Sequence, residues 1–272
     1  VDRVLQGTGT TVSVTFYEDG VIVDPGSVTL NVTRADGTVL VASGTASGSG
    51  ATARTFALTA THTGLLDRLT LAWVSASKGT LTTTVEIVGG FLFSLAQARA
   101  TSPLNDVDDY PTGDLLEMRT TVESAMEELC GAFVPRYARD TVQARYGRPL
   151  RLPRPFVRAV RSVTINGIDL SPSEVAAVMT DGSFLYGSPW GTGSVTVGYE
   201  HGRDRPPERI RRAALLLAKV WLVSGPVDDR TNTFTSTEGG TYSLVTPGRG
   251  GSVFGVPEVD TAVSQHAITL VG

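Results

Sequence analysis

Eight arginines fall within 26 residues: Arg136, Arg139, Arg145, Arg148, Arg151, Arg154, Arg158 and Arg161, opposed in that stretch only by Asp140. An arginine side chain is a permanently charged, planar fork of donors that pairs bidentately with carboxylate or phosphate. The run therefore reads in two ways: a solvated charged rim, or a contact for an acidic protein surface or for phosphate. Its spacing is often three or four residues, yet the surrounding pattern is β-like and proline-rich, so it is not one stripe of a helix. Lysine occurs only at Lys78 and Lys219, so nearly all the basic chemistry is arginine. With only Tyr137, Tyr146 and Phe156 among the arginines of the run and no strongly positive domain, sequence-specific DNA binding is not expected.

Other chemistry finds little support. There is no G-x-S-x-G, Walker or G-x-G-x-x-G pattern. The glycines of residues 187–193 lack a following Lys-Ser/Thr and read as a hairpin loop. His62, His201 and His266 are scattered, with no second His or Cys at ligand spacing. Asp106, Asp108 and Asp109 precede a helix start without the glycine and distal glutamate of a calcium loop, so capping is the better reading. Cys130, the single cysteine, lies by an apolar helical face and reads as packing. No enzyme activity, cofactor or metal is expected.

The elements that must carry the arginines follow from composition. Net charge is −4, divided as −2 over residues 1–90, +1 over 91–225 and −3 over 226–272, with 16 of the 23 basic residues in the middle block. Neither nucleic acid nor a membrane is implied globally. The longest apolar run, within residues 213–223, is too short to span a bilayer. No basic-then-apolar leader opens the sequence, so no secretory signal is expected, and the single cysteine fits synthesis in a reducing cytoplasm.

The fold class expected is α+β. Residues 1–90 alternate apolar and polar positions in about seven short segments, for example Val28/Leu30/Val32 and Leu69/Leu71/Trp73, with turns at Asp36-Gly37 and elsewhere. That pattern suggests an immunoglobulin-like β-sandwich, and residues 42–53 read as a mobile Gly/Ser loop. After Gly89-Gly90 the composition shifts to Arg, Glu, Leu and Pro. A domain over 91–225 is expected, with a helix starting at Pro111-Thr112 and a β insertion at about 141–200, including strand character at 175–179. A second helix follows Pro206-Pro207. Its residues Ile210, Ala213, Ala214, Leu217 and Trp221 share a face that Leu215, Leu216, Val220 and Leu222 widen, so it needs cover on more than one side. Residues 226–272 read as an extended C-terminal arm whose apolar islands, Tyr242, Phe254, Val256, Pro257 and Val259, are candidate contacts to another subunit or partner.

The order of parts resembles a known family. Leu129-Cys130-Gly131-Ala132-Phe133 closes a helix. Leu150-Arg151-Leu152-Pro153, Asn166-Gly167 and Val195-Thr196-Val197-Gly198-Tyr199-Glu200-His201-Gly202 follow. Then come the Pro206-Pro207 helix with Ala213-Ala214, and Gly255-Val256-Pro257-Glu258-Val259-Asp260. Over roughly 95–265 this is similar to the head-to-tail connector (adaptor) proteins of long-tailed bacteriophages, those with a β insertion in a small helical bundle. The resemblance implies a structural virion protein made in a bacterial cytoplasm and placed in the neck between capsid and tail. It implies a ring, usually of 12 copies, beneath the portal protein, extending the DNA channel and docking tail-completion or neck proteins. The eight arginines would then face the portal or, non-specifically, genomic DNA. The contrasting expectation is a surface- or glycan-binding adhesive module with the N-terminal sandwich as its binding domain.

Overall fold

In the computed structural model, which describes residues 2–187, 190–223, 233–235, 241–243 and 253–268, strands outnumber helices and the class is mixed α+β. The chain divides into two discontinuous units: Val1–Gly90 with Val134–Arg203, and Phe91–Phe133 with Asp204–Gly272. The three consecutive segments expected from composition are thus regrouped. The β insertion belongs with the N-terminal strands, and the last segment belongs with the helices.

The first unit opens with β1 (Asp2–Leu5), β2 (Thr10–Val14), β3 (Tyr17–Glu18), β4 (Val21–Ile22), β5 (Val28–Thr33), β6 (Val39–Thr45), β7 (Arg54–Leu58), β8 (Asp67–Ser75) and β9 (Gly79–Val88). Five of them form one sheet in the order β1-β9-β8-β5-β6, with β1 parallel to β9 and the other pairs antiparallel. β2 pairs with β7 as a ribbon, and β3 with β4 as a small hairpin. Successive side chains on a strand point to opposite faces, so the alternation in β5 and β8 delivers Val28, Leu30, Val32, Leu69, Leu71 and Trp73 to one buried face. There they meet Val12, Val14 and Leu58 of the ribbon in a single core. Each such side chain contributes roughly 1.5–3 kcal/mol by leaving water. Trp73 is fully buried, and its Nε1 donates to Thr83 Oγ1 at 3.0 Å.

Residues 42–53 are more ordered than a Gly/Ser loop suggests. β6 continues to Thr45, the Ser43 amide donates to Asn31 Oδ1 at 2.7 Å, and Ser47 bridges Thr55. The organiser is Arg54. Its buried guanidinium donates to Asp24 Oδ1 at 2.7 Å and to the carbonyls of Gly26, Gly50 and Thr52 at 3.0–3.1 Å.

The same unit continues with β10 (Arg136–Ala144), β11 (Leu150–Arg151), β12 (Val157–Ile165), β13 (Ile168–Asp169), α3 (Pro172–Ala176), β14 (Met179–Asp181), β15 (Phe184–Tyr186) and β16 (Gly193–His201). These give a four-stranded antiparallel sheet, β10-β16-β12-β13, and a three-stranded one, β11-β15-β14. The Asn166-Gly167 turn closes β12 on β13 with both residues at positive φ, +50° and +86°, as a tight two-residue hairpin requires. The expected strand over 175–179 is instead α3 followed by β14. Ser171 and Glu174 form a capping box that starts the helix, and only Met179 joins a strand. Gly198 marks a close approach, because a Cβ there would lie 2.5 Å from both Tyr137 Oη and Ser162 Oγ.

The second unit holds α1 (Leu95–Arg99), α2 (Thr112–Cys130), α4 (Glu208–Val223), α5 (Pro257–Ser264) and a two-stranded hairpin, β17 (Thr233–Thr235) with β18 (Thr241–Ser243). Leu115, Val122 and Met126 of α2 recur at helical spacing. They share a core with Phe133, with Ile210, Ala214 and Leu217 of α4, and with Val259, Ala262 and Val263 of α5. α4 packs against both α2 and α5, which is the two-sided cover its composition demands.

The extended-arm expectation fails over residues 253–268. Pro257 suits the first helical turn, Glu258 and Asp260 complement its dipole, and Asp260 Oδ1 accepts the amides of Val253 at 3.0 Å and Phe254 at 2.8 Å. Apolar positions at 259, 262 and 263 share a face, so the segment buries its own surface as α5. Among the described residues no helix is long and apolar enough to cross a membrane.

Candidate functional site

β10, β12 and the turns beside them position the arginine run, and their geometry splits it. Arg136 lies 3.4 Å from Glu86 Oε1. Arg161 is bonded to Glu200 Oε1, donates to the Leu66 carbonyl at 2.5 Å, and sits 5.1 Å from the centre of the Tyr137 ring. Glu86 lies on β9 and Leu66 just before β8, so these two arginines fasten the inserted sheet to the N-terminal strands. They are half-buried and internally paired, which removes them from the expected portal or DNA contacts.

Arg154 is exposed and donates to Asp140 Oδ2 at 3.4 Å. Arg139, Arg145, Arg148, Arg151 and Arg158 are also exposed, and their backbone lies on three different stretches: β10, the turn after it with β11, and β12. The exposed arginines are thus shared among several elements rather than carried by one. They offer a distributed positive surface suited to an extended polyanion or an acidic face.

Arg148 has aromatic neighbours both near and distant in sequence. A concavity of about 440 Å³ is lined by Tyr146, Arg148, Pro149, Tyr186 and Trp190. Tyr146 is 82% exposed at its rim, while Trp190 is buried. Tyr146 comes from the run itself, whereas Tyr186 and Trp190 come from the end of β15 and the residues after it, some forty residues on. Only the fold brings them together.

Behind the exposed arginines lies a buried polar network. Tyr199 donates its hydroxyl to Asp140 Oδ2 at 2.5 Å, so Asp140 receives both the phenol and Arg154. Burial, reinforced by this hydrogen bond to a carboxylate, pushes the Tyr199 pKa well above the usual tyrosine range. His201 is buried, and its Nδ1 meets no hydrogen-bond partner. Burial, together with the positive charges of Arg154 and Arg136, lowers its pKa to about 3. Both rings stay neutral at physiological pH, so this network orders the strand end rather than exchanging protons there. Phe156 adjoins it at a φ of +59°. Its carbonyl accepts the Gly202 amide at 3.0 Å, and the Arg203 guanidinium lies 4.4 Å from its ring centre.

The expected arm residues are placed differently from one another. Phe254 and Val259 are buried in the helical unit's own core, and Val256 is half-buried against it. Pro257 opens α5 and is exposed. Tyr242 lies in β18, and its side chain falls outside the described residues, as does the arm over 244–252. Burial of Phe254 and Val259 within their own unit leaves neither available to a partner. In the acidic stretch, Asp106 Oδ1 accepts the amides of Asp108 and Asp109, which is turn formation.

Two charged residues on α2 escaped the pattern reading. Arg119 and Glu123 are both buried; Arg119 lies 3.5 Å over the Phe91 ring, and Glu123 Oε1 accepts the Leu92 amide at 2.7 Å. No family model matches the chain, and no curated protein matches it either.

Proposed function

We infer that the chain is a structural virion protein, a head-to-tail connector of a long-tailed bacteriophage, rather than an enzyme. The observation that carries the reading is the discontinuous helical unit. The chain leaves it after Phe133, builds a β-rich insertion, and returns at Asp204 to complete the bundle with α4 and α5. That is the architecture the sequence resemblance implies. On this reading a ring of copies sits beneath the portal, continues the DNA channel and receives the tail. Arg139, Arg145, Arg148, Arg151, Arg154 and Arg158 supply the basic surface that meets an acidic portal face or, without sequence preference, genomic DNA.

The N-terminal strands are read as an added immunoglobulin-like domain. Support comes from the packing of the β2–β7 ribbon over the β9-β8-β5 centre, and from the parallel placement of β1 on β9.

The test is electron microscopy of particles made when this gene is deleted from its phage. DNA-containing or leaked heads beside separate, finished tails are expected. Whole virions that only fail to attach to cells would overturn the connector role in favour of an adhesive one.

A further inference from the structure

The sheet β11-β15-β14 carries rings and an arginine on one side. Cross-strand partners in an antiparallel sheet share a face, as do alternate residues along a strand. Arg151 pairs with Phe184, and Tyr186 with Met179, so these four project to the same side. The other side carries Leu150 and Leu185, both buried in the core of the insertion. Arg151, Phe184 and Met179 are exposed. Tyr186 also lines the concavity of about 440 Å³ at whose rim Tyr146 stands, with Arg148 beside it. Three glycines complete that lining and put no side chain into it, which keeps it open. Among the described residues that line it, Arg148 bears the only charge.

The wider surface is basic because its acids are engaged. Residues 136–187 hold eight arginines and four acids. Asp140 accepts the Tyr199 hydroxyl, Asp169 the Thr164 hydroxyl at 2.6 Å, and Glu174 the Ser171 amide at 2.8 Å. The fourth acid, Asp181, lies beside Phe184 and does not line the concavity.

We propose that this surface binds single-stranded DNA, with Tyr146, Tyr186 and Phe184 stacking on unpaired bases and Arg148 and Arg151 pairing with phosphates. The occupant follows from two needs met together. Arginine forks match phosphate, and aromatic faces match bases of any sequence. An unpaired nucleotide offers both groups at once, whereas a duplex keeps its base faces covered by its own stacking. Phe184 and Tyr186 stand about 7 Å apart along β15, so successive unpaired bases can meet successive rings. The site thus favours an end or an opened stretch of the genome over intact duplex. The proposal deepens the connector reading and rests on it for the source of the DNA, but not for the binding.

The experiment is fluorescence anisotropy of the full chain with a labelled oligothymidylate of about 15 nucleotides, beside a duplex of equal length. The single strand should bind at least about fivefold more tightly than the duplex. Tyr146→Ala should weaken single-strand binding about tenfold and leave duplex binding within about twofold of the wild type. Tyr146→Phe keeps the ring and should keep the affinity. Tyr146 is exposed, so neither change threatens the fold. Arg148→Ser should weaken both probes and lower the log–log salt slope by about one. Equal or tighter binding of the duplex overturns the proposal, as does a Tyr146→Ala protein that holds the single strand like the wild type. Binding of neither probe also overturns it and leaves the surface to an acidic protein partner. The deletion-particle experiment reads the connector role whatever this assay returns, so the two can fail separately.

Discussion

Arg54 and Arg119 are both buried arginines, one in each unit, and the fold treats them differently. In the β unit, the Arg54 fork reaches one carboxylate and three backbone carbonyls that lie outside the strands. The charge is a clasp for two irregular loops. In the helical unit, Arg119 is held on the regular backbone of α2, and its guanidinium lies over the face of Phe91. Where the backbone is irregular a buried cation substitutes for missing hydrogen bonds, and where the backbone is regular it packs as a flat surface.

The comparison can be broken by substitution. Arg54→Met should cost about 2 kcal/mol, since a buried guanidinium and the hydrogen bonds it makes to two loops are lost at once; urea unfolding of the β unit would measure it. Arg119→Met keeps an apolar side chain against Phe91 and should lose about 1 kcal/mol through the cation–π contact. Equal losses for the two would sink the distinction. A smaller effect comes from His201. Unfolded, it takes up a proton near pH 6.5; folded, only near pH 3, so the unfolded state binds more protons between those values. Its contribution is fully present above pH 6.5 and is lost as pH falls through that window, by under about 1 kcal/mol at pH 6. His201→Gln should flatten the acid limb of a stability-versus-pH curve without moving the plateau. Least of all, Arg145→Ser with Arg148→Ser should change stability by no more than about 0.5 kcal/mol. The same pair should reduce salt-sensitive binding to DNA or to an acidic partner, which separates surface function from structure.

Much of the fold was legible because it rests on local signals. Alternation at Val28/Leu30/Val32 and Leu69/Leu71/Trp73 sets two central strands, Asn166-Gly167 sets a hairpin, and Pro111 opens a long helix. The regrouping of the units was not legible. Gly89-Gly90 marks a composition change, but nothing nearby tells that β10 will return to lie beside β8 and β9, because that choice is made by contacts such as Arg161 with Leu66. The tail misled for a related reason. Val259, Ala262 and Val263 repeat at helical spacing over only eight residues, and isolated apolar islands look alike whether they seek a partner or their own core. Within the arginine run, sequence proximity hid a division of labour. Arg136 and Arg161 differ from Arg145 and Arg148 only in having Glu86, Glu200 and Leu66 nearby in space.

The interrupted helical unit also has a consequence for synthesis. α2 emerges from the ribosome roughly 80 residues before α4, and at about 5–20 residues per second its apolar stripe waits roughly 4–16 seconds for a partner. During that interval the strands through β16 are complete and can fold, whereas Leu115, Val122 and Met126 remain uncovered. Chains that stop after His201 would thus present a finished β unit carrying a sticky helix, and such fragments should aggregate or recruit chaperones while the full-length product does not.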